Sequence, residues 1–231
     1  GSNGNTPQTS ISIVTGSTGN KSYIANWKQI PTLAYKNFWY KGTTNRNSIT
    51  EIEIVNEYTP TGSETESWDA SEAQNGSVKA YIIGTKLIIA GNGDEKVYAN
   101  KDSSYMFSLI SNSTSNGFIN VTNISGLNIL DVSNVTDMDY MFEDTGSKAT
   151  TFNLDLSNWN VSNVTDMDYM FENTGYSATN WSIGDISNWN VSNVTNMSGM
   201  FNSAGKSATN WSIGDISNWN VSNVTNMSGM F

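Results

Sequence analysis

The chain repeats itself almost without change, and this repetition limits the folds it can adopt more than any local pattern does. The 25 residues from Ser177 to Phe201 recur letter for letter from Ser207 to Phe231. Self-similarity at a fixed period indicates a stack of similar units, each of which needs its neighbours to cover its apolar face. Such stacks usually provide recognition surfaces, so the sequence favours a binding function over catalysis.

The length of the repeat follows from a Met-Phe signature that closes each unit. Blocks of the form (D/N)-V-S-N-V-T-(D/N)-M-x-x-M-F recur at spacings of 29, 30 and 30 residues and end at Phe142, Phe171, Phe201 and Phe231. The 29-residue unit lacks the equivalent of Gly184 and Gly214. A degenerate copy ends at Phe107. The repeats therefore begin near residue 100.

One half of each repeat has the apolar spacing of a short helix. The i, i+3, i+6, i+7 pattern is formed by Val164, Met167, Met170 and Phe171. Ser162 and Thr165 are candidate N-caps, because their hydroxyls can accept from free amide groups. Gly175 and Gly205 follow the pattern, where a left-handed residue often ends a helix. We therefore expect a short helix or tight helical turns.

The other half of the repeat, residues 181–191, is too short and too rich in Asn, Asp and Gly to form a helix. Its apolar anchors are Ile183, Ile186, Trp189 and Val191. The simplest interpretation is a short strand around Asp185–Ser187, followed by a turn. Copies of this strand would stack as a parallel sheet along one face of a solenoid.

These motifs resemble a known family. The blocks DVSNVTDMDYMF and NVSNVTNMSGMF, together with the segments LDLSNW and GDISNW, are similar to the BspA-type leucine-rich-repeat surface proteins of bacteria. The similarity covers roughly residues 65–231. It implies a right-handed leucine-rich-repeat-like α/β solenoid, with short parallel strands and short helical turns, on a secreted or wall-attached protein. Members are often described as adhesins. This chain uses Ile, Trp, Met and Phe where Leu is usual.

Three regions are expected along the chain: a flexible segment at 1–20, a mostly-β N-terminal cap at 21–100, and a solenoid at 101–231 that is truncated at its C-terminus. Within the cap, residues 49–55 are predicted to form a strand. Residues 77–83 and 86–90 are predicted to form a β-hairpin with Gly84 in the first turn position. The cap would cover the first apolar face of the array. A separate binding domain is the alternative.

The chain contains no Cys and no His, and this removes several kinds of chemistry together. A Ser-His-Asp site, thiol catalysis and a Cys/His zinc site are all excluded. Acidic pairs such as Asp137/Asp139 and Asp166/Asp168 lack the spacing and the glycine of an EF-hand loop. We therefore expect no enzyme activity, no cofactor and no metal. A hydrolase with a carboxylate pair is the weakest alternative.

The net charge of −10 is concentrated in the repeats. Nine acidic residues lie between Asp131 and Glu172. This surface would repel the phosphate backbone of a nucleic acid. It would either steer a basic partner or serve as a solvated face. No apolar run approaches the roughly 20 residues of a membrane span, so membrane insertion is not expected.

The candidate ligand-binding residues flank the inward Leu or Ile of each predicted strand. They are Asp155, Ser157, Asp185, Ser187, Asp215 and Ser217. On a strand these side chains would face solvent, where they would line a ligand site or form a plain hydrophilic face.

Other recurring residues are better explained as structural. The Met and Phe positions of the signature, and the row of Trp159, Trp189 and Trp219, are expected to stack in the core. Exposed aromatic rows for a sugar or a proline-rich ligand are the alternative. Phe152, Trp181 and Trp211 form a third row. Asn163, Asn193 and Asn223 are expected to be buried and to satisfy backbone groups at a turn.

The leading hypothesis is a bacterial surface-displayed repeat protein that mediates adhesion or protein binding through its sheet face. Its partner would be a host or bacterial surface protein or a glycan, and its location extracellular, in the cell wall or at the cell surface. The alternative is a structural stalk or spacer. Identical final repeats favour a spacer at the C-terminal end, which leaves the N-terminal end as the better candidate site. End-to-end self-association through the open last repeat is also expected.

Overall fold

A computed structural model describes residues 29–108 and 117–231. Contacts divide the chain into two units, Gly1–Ile30 and Pro31–Phe231, and every element below belongs to the second. The flexible segment predicted at residues 1–20 lies outside the described residues. Among the residues that are described, no helix is long and apolar enough to cross a membrane.

Within residues 31–108 and 117–231, nine strands form most of the regular structure of the second unit. They are β1 Glu51–Val55, β2 Glu66–Asp69, β3 Lys79–Ile83, β4 Lys86–Ala90, β5 Val97–Tyr98, β6 Asn123–Ser125, β7 Leu130–Asp131, β8 Thr151–Asn153 and β9 Asn180–Ser182. Two 3-10 helices are formed by Arg46–Ser48 and Ile216–Asn218.

Seven of the strands form one mixed sheet, in the order β2-β3-β4-β1-β6-β8-β9. β2, β3 and β4 pair antiparallel, whereas β4, β1, β6, β8 and β9 pair parallel. β5 and β7 pair parallel in a second ladder. The predicted hairpin is confirmed as β3 and β4, with Gly84 at φ +59°. The strand predicted at residues 49–55 is β1. Because β1 pairs directly with β6, the sheet continues without interruption from the N-terminal segment into the repeats.

The expected α/β solenoid with short helical turns is wrong. Within residues 29–108 and 117–231 the only helical elements are the two 3-10 helices, and the main sheet is mixed. The Met-Phe segment consists of tight turns in which Tyr169 and Asn173 adopt left-handed φ values of +51° and +54°. The N–H of Phe171 donates to the Met200 carbonyl of the next repeat, at 2.9 Å. Bonds between repeats thus replace the i to i−4 bonds of a helix.

The strand predicted around Asp185–Ser187 is also misplaced. The strands of the later repeats are β8 and β9, which lie several residues earlier. In the predicted segment the Asp185 side chain accepts from the Ser187 N–H at 2.9 Å. An Asp that bonds the backbone two residues ahead forms a turn rather than a strand.

The apolar positions of the repeat form the core, as predicted. Met167, Met170 and Phe171 are all fully buried. Phe171 stacks on Phe142 and Phe201, with ring centroids 5.6 and 5.4 Å apart. Identical side chains one repeat apart therefore lie in register and cover one another.

The first repeat is covered by the segment that precedes the sheet. The Lys36 N–H donates to Asp102 O at 3.0 Å, and the Trp39 indole N–H donates to Met106 O at 3.0 Å. The buried Arg46 guanidinium donates to Ser108 O at 3.3 Å. These donors satisfy carbonyl groups that would otherwise need a preceding repeat.

Candidate functional site

The six predicted site residues lie outside the strands, not on the sheet face, and one of them, Ser217, belongs to the 3-10 helix Ile216–Asn218. The three Asp side chains are exposed. Each accepts from the Ser N–H two positions later, at 3.1, 2.9 and 3.0 Å for Asp155–Ser157, Asp185–Ser187 and Asp215–Ser217. Hydrogen bonds from the Ser residues lower the pKa of each of these carboxyls. All three are therefore anionic at neutral pH.

Successive copies of these residues lie one repeat apart along the stack, and Asp185 and Asp215 are close enough for their charges to interact. Asp155 lines a groove between β6 and β8, and the other five do not. We call this feature the Asn groove and define its rim as Asn123, Asn128, Asn153, Asp155 and Asn158. Its cavity measures about 380 Å³. Small-molecule sites in proteins occupy roughly 300–1,000 Å³.

The parallel pairing of β6 with β8 builds the groove. Asn123 and Asn153 are directly paired, so their side chains leave the same face of the sheet at neighbouring positions. The chain turns after β6 at Gly126, whose φ is +76°. This turn brings Asn128 to the same rim.

The groove lies at the position where the short repeat lacks a residue. Leu154 is followed directly by Asp155, whereas the next repeat has Gly184 between Ile183 and Asp185. An added Cβ on Gly184 would lie 2.7 Å from Asp155 Oδ1, so the longer repeat packs closely against the shorter one. Loss of this residue shortens the loop after β8 and leaves space over β6.

Four side-chain amides face this space without partners. The rim residues Asn123, Asn128, Asn153 and Asn158 are exposed. None of their amide groups is hydrogen-bonded to another residue of the described ranges. Each amide offers two donors and one acceptor. Ile124, Leu127 and Leu154 also line the groove, but their side chains are nearly buried in the core.

A smaller cavity of about 220 Å³ adjoins the groove and shares Asn128 and Asn158 with it. Asp131 lies in its wall, where its carboxylate accepts from the Ser133 N–H at 2.9 Å. Lys96 also lines it and donates to the Asn128 carbonyl at 2.5 Å. The two cavities together contain two carboxylates, Asp131 and Asp155, and one ammonium group, that of Lys96. Their net charge is therefore negative.

A second polar surface lies on the Met-Phe side of the repeats. We call it the acidic face, and its members are Asp137, Asp139, Glu143, Asp166, Asp168 and Glu172. Burial, with the nearby charge of Asp137, raises the pKa of Asp139 to about 7. Burial, with the charge of Asp144, raises the pKa of Glu143 to about 7. These two carboxyl groups therefore take up protons near neutrality.

Tyrosines accompany the acidic face. Tyr105, Tyr140 and Tyr169 stack with centroid distances of 4.8 and 5.0 Å. Burial, with the charge of Asp139, raises the pKa of Tyr105 to about 12. Gly199 takes the equivalent position in the next repeat, so the tyrosine stack stops at the same repeat as the acidic residues do.

The described residues contain no group of three or more Asp or Glu side chains placed to hold a metal ion. The acidic pairs of neighbouring repeats instead sit in a backbone ladder, in which Asp137 pairs with Asp166.

The recurring Asn row bonds the backbone as predicted but is not buried. The exposed Asn163, Asn193 and Asn223 side chains each donate to a Ser carbonyl of the preceding repeat, at 2.7 Å. These Asn side chains lie at the edge of the loops and not in the core. There they join turns of neighbouring repeats that are not paired as strands.

The tryptophan rows are mostly internal. Trp159, Trp189 and Trp219 are buried, and the Trp189 indole N–H donates to Leu156 O at 3.1 Å. Trp181 is buried and stacks on Trp211 at 5.3 Å, and Trp211 is 38 % exposed. These residues therefore offer no continuous exposed aromatic row for a ligand within the described ranges.

Sequence reasoning missed the Asn groove, apart from Asp155. Its signal was present as the one residue missing from the repeat that ends at Phe171. The four amides come from two different repeats and from the loop after β6. Only the register of β6 with β8 shows that they converge.

Comparison with known proteins identifies one family. A family model described as "Mycoplasma protein of unknown function, DUF285" matches residues 101–183 and 176–231, more than half of the chain. No curated protein and no solved structure matches the chain significantly.

Proposed function

The chain belongs to the DUF285 family, and from this premise we propose that it is a bacterial surface-displayed repeat protein that binds another molecule in adhesion or protein contact. The observation that carries this proposal is the Asn groove, with its four unpaired amides. Polar groups that converge on a cavity without internal partners are typical of binding sites. Kinship with BspA-type surface proteins, and location outside the cell, belong to the same proposal and rest on the repeat motif.

The proposed partner is a surface protein or a glycan of a host or bacterial cell. The negative charge of the acidic face and of the groove disfavours nucleic acid. The test applies purified full chain to an array of extracellular-matrix proteins and glycans. Specific binding to at least one ligand is expected, together with access of an antibody to the chain on intact producing cells. A chain that binds nothing on the array, or that intact cells shield from antibody, contradicts the proposal.

A structural spacer is the second candidate, and the identity of Ser177–Phe201 with Ser207–Phe231 favours it. Duplication without surface change adds length but no new recognition. Deleting one of the two copies would shorten a spacer and reduce its surface reach, whereas a binder with its site near β6 would keep its ligand affinity. Measuring affinity and surface reach on the same deletion separates the two.

End-to-end self-association is a further part of the proposal. Phe231 is 68 % exposed and Trp211 38 %, and with Phe201 they line a cavity of about 420 Å³. Sedimentation of the 231-residue chain should show a concentration-dependent dimer that Phe231→Ser weakens. A chain that stays monomeric at all concentrations contradicts it.

A further inference from the structure

The Asn groove has the chemistry of a carbohydrate site, and we infer that it binds a neutral oligosaccharide. The inference rests on the proposed binding function and names the ligand class for its site. Sugar hydroxyls both donate and accept hydrogen bonds, and so do side-chain amides. Asn123, Asn128, Asn153 and Asn158 supply such groups from two sides of one cavity.

The charges of the groove select against acidic sugars. Asp155 and Asp131 contribute two carboxylates, and Lys96 is engaged with the Asn128 carbonyl. Asp155 Oδ1 is occupied by Ser157, through its N–H at 3.1 Å and its hydroxyl at 2.6 Å. The second carboxylate oxygen of Asp155 is left to accept from a hydroxyl. Sulfated or carboxylated glycans would meet repulsion here.

Ile124, Leu127 and Leu154 also line the groove, but they are at most 4 % exposed, so a bound sugar would be held mainly by the rim amides. The adjoining cavity, walled by Trp159, extends the site for a further sugar unit.

An extended peptide is the weaker occupant. Peptides that add to a sheet need an unpaired strand edge. Within the described residues, β6 is paired along its length with β1 but is paired with β8 through Asn123 alone. The groove therefore leaves two residues of β6, Ile124 and Ser125, unpaired on that side, which is too short an edge for an extended peptide to add as a strand.

The test titrates the full chain with neutral trisaccharides of glucose, mannose, galactose and N-acetylglucosamine, followed by calorimetry or ligand-observed NMR. Heparin and a Lys-rich peptide serve as charged comparators. At least one neutral trisaccharide should bind. Asn153→Ala and Asn158→Ala should each weaken it about tenfold, as expected for the loss of one or two hydrogen bonds. The matched control is Asn188→Ala, at the position of Asn158 one repeat later, and it should leave affinity unchanged.

A glycine inserted between Leu154 and Asp155 restores the missing residue and should abolish binding in a folded chain. If this variant does not fold, the two alanine variants still decide the matter. The inference is overturned if no neutral trisaccharide binds up to about 10 mM, or if Asn158→Ala and Asn188→Ala behave alike. It is also overturned if only heparin or the peptide binds. A protein ligand found on the array, with no sugar bound, would sink this inference and leave the proposed function standing.

Discussion

Replacing Gly126 with alanine tests how closely β6 is held against β1. Gly126 follows β6 at φ +76°, a left-handed conformation that costs a residue with a side chain about 1–2 kcal/mol. An added Cβ would lie 1.9 Å from the Ile54 carbonyl oxygen and 2.8 Å from its carbonyl carbon. These are backbone atoms of a central strand, so they cannot rotate away as a side chain could.

The expected loss of stability can be worked out from this geometry. Normal contact requires β1 and β6 to separate by more than roughly 1 Å at this point. Such a shift stretches the few ladder hydrogen bonds between them, each with a net value of about 0.5–1.5 kcal/mol. With the backbone penalty, the free energy of unfolding should fall by about 3–5 kcal/mol. For a chain of this size the melting temperature should drop by about 10 °C.

Gly62 provides the matched control, because its φ is +87° and nothing lies within 4 Å of an added Cβ. Gly62→Ala should show the backbone penalty alone, about 1–2 kcal/mol. Circular-dichroism melts of both variants and of the parent chain give the comparison. Equal shifts in melting temperature would refute the close packing of β6 on β1, on which the shape of the Asn groove depends.

Three further outcomes are expected. Met167→Asp should lower the free energy of unfolding by several kcal/mol, because it buries a charge among apolar side chains. Asp166→Asn should change it by about 0.5 kcal/mol or less. Equal shifts in melting temperature would contradict the core position of Met167. The pKa values of Asp139 and Glu143 are raised to about 7, so from about pH 4 to 7 the folded chain holds protons that the unfolded chain has released, and the stability that these groups contribute falls as the pH rises. The melting temperature should therefore be higher at about pH 5.5 than at about pH 7.5. In the double variant Asp139→Asn with Glu143→Gln, this difference in melting temperature should be smaller. If the double variant shows the same difference as the parent chain, these two carboxyl groups are not its cause. Chelation should leave the melt unchanged, and a drop of more than a few degrees would reveal a structural cation.

The repeat period and the core positions were readable from the sequence. Met167 and Phe171 are fully buried because apolar side chains that recur at one position of a stacked unit must be covered by their own copies. The hairpin of β3 and β4 was also predictable, since Gly84 supplies the left-handed residue that a two-residue turn requires.

The local conformation of the Met-Phe segment was not predictable in the same way. Spacing at i, i+3, i+6, i+7 fits both a helix and a series of tight turns. The structure decides in favour of turns because the Phe171 N–H finds its acceptor in the next repeat, and Tyr169 turns left-handed to permit it. The hydrogen bonds that decide the conformation form between repeats, so they exist only when the repeats lie side by side.

The candidate site was also predictable from the sequence only in part. The sequence by itself determined that one repeat is a residue short and that Asp155 is polar and repeated. Only the tertiary structure placed Asn123 beside Asn153 and brought Asp155 to the same groove. A cavity depends on which segments become neighbours and on how closely they pack. That is set by the register between strands far apart in the chain, which no single repeat specifies.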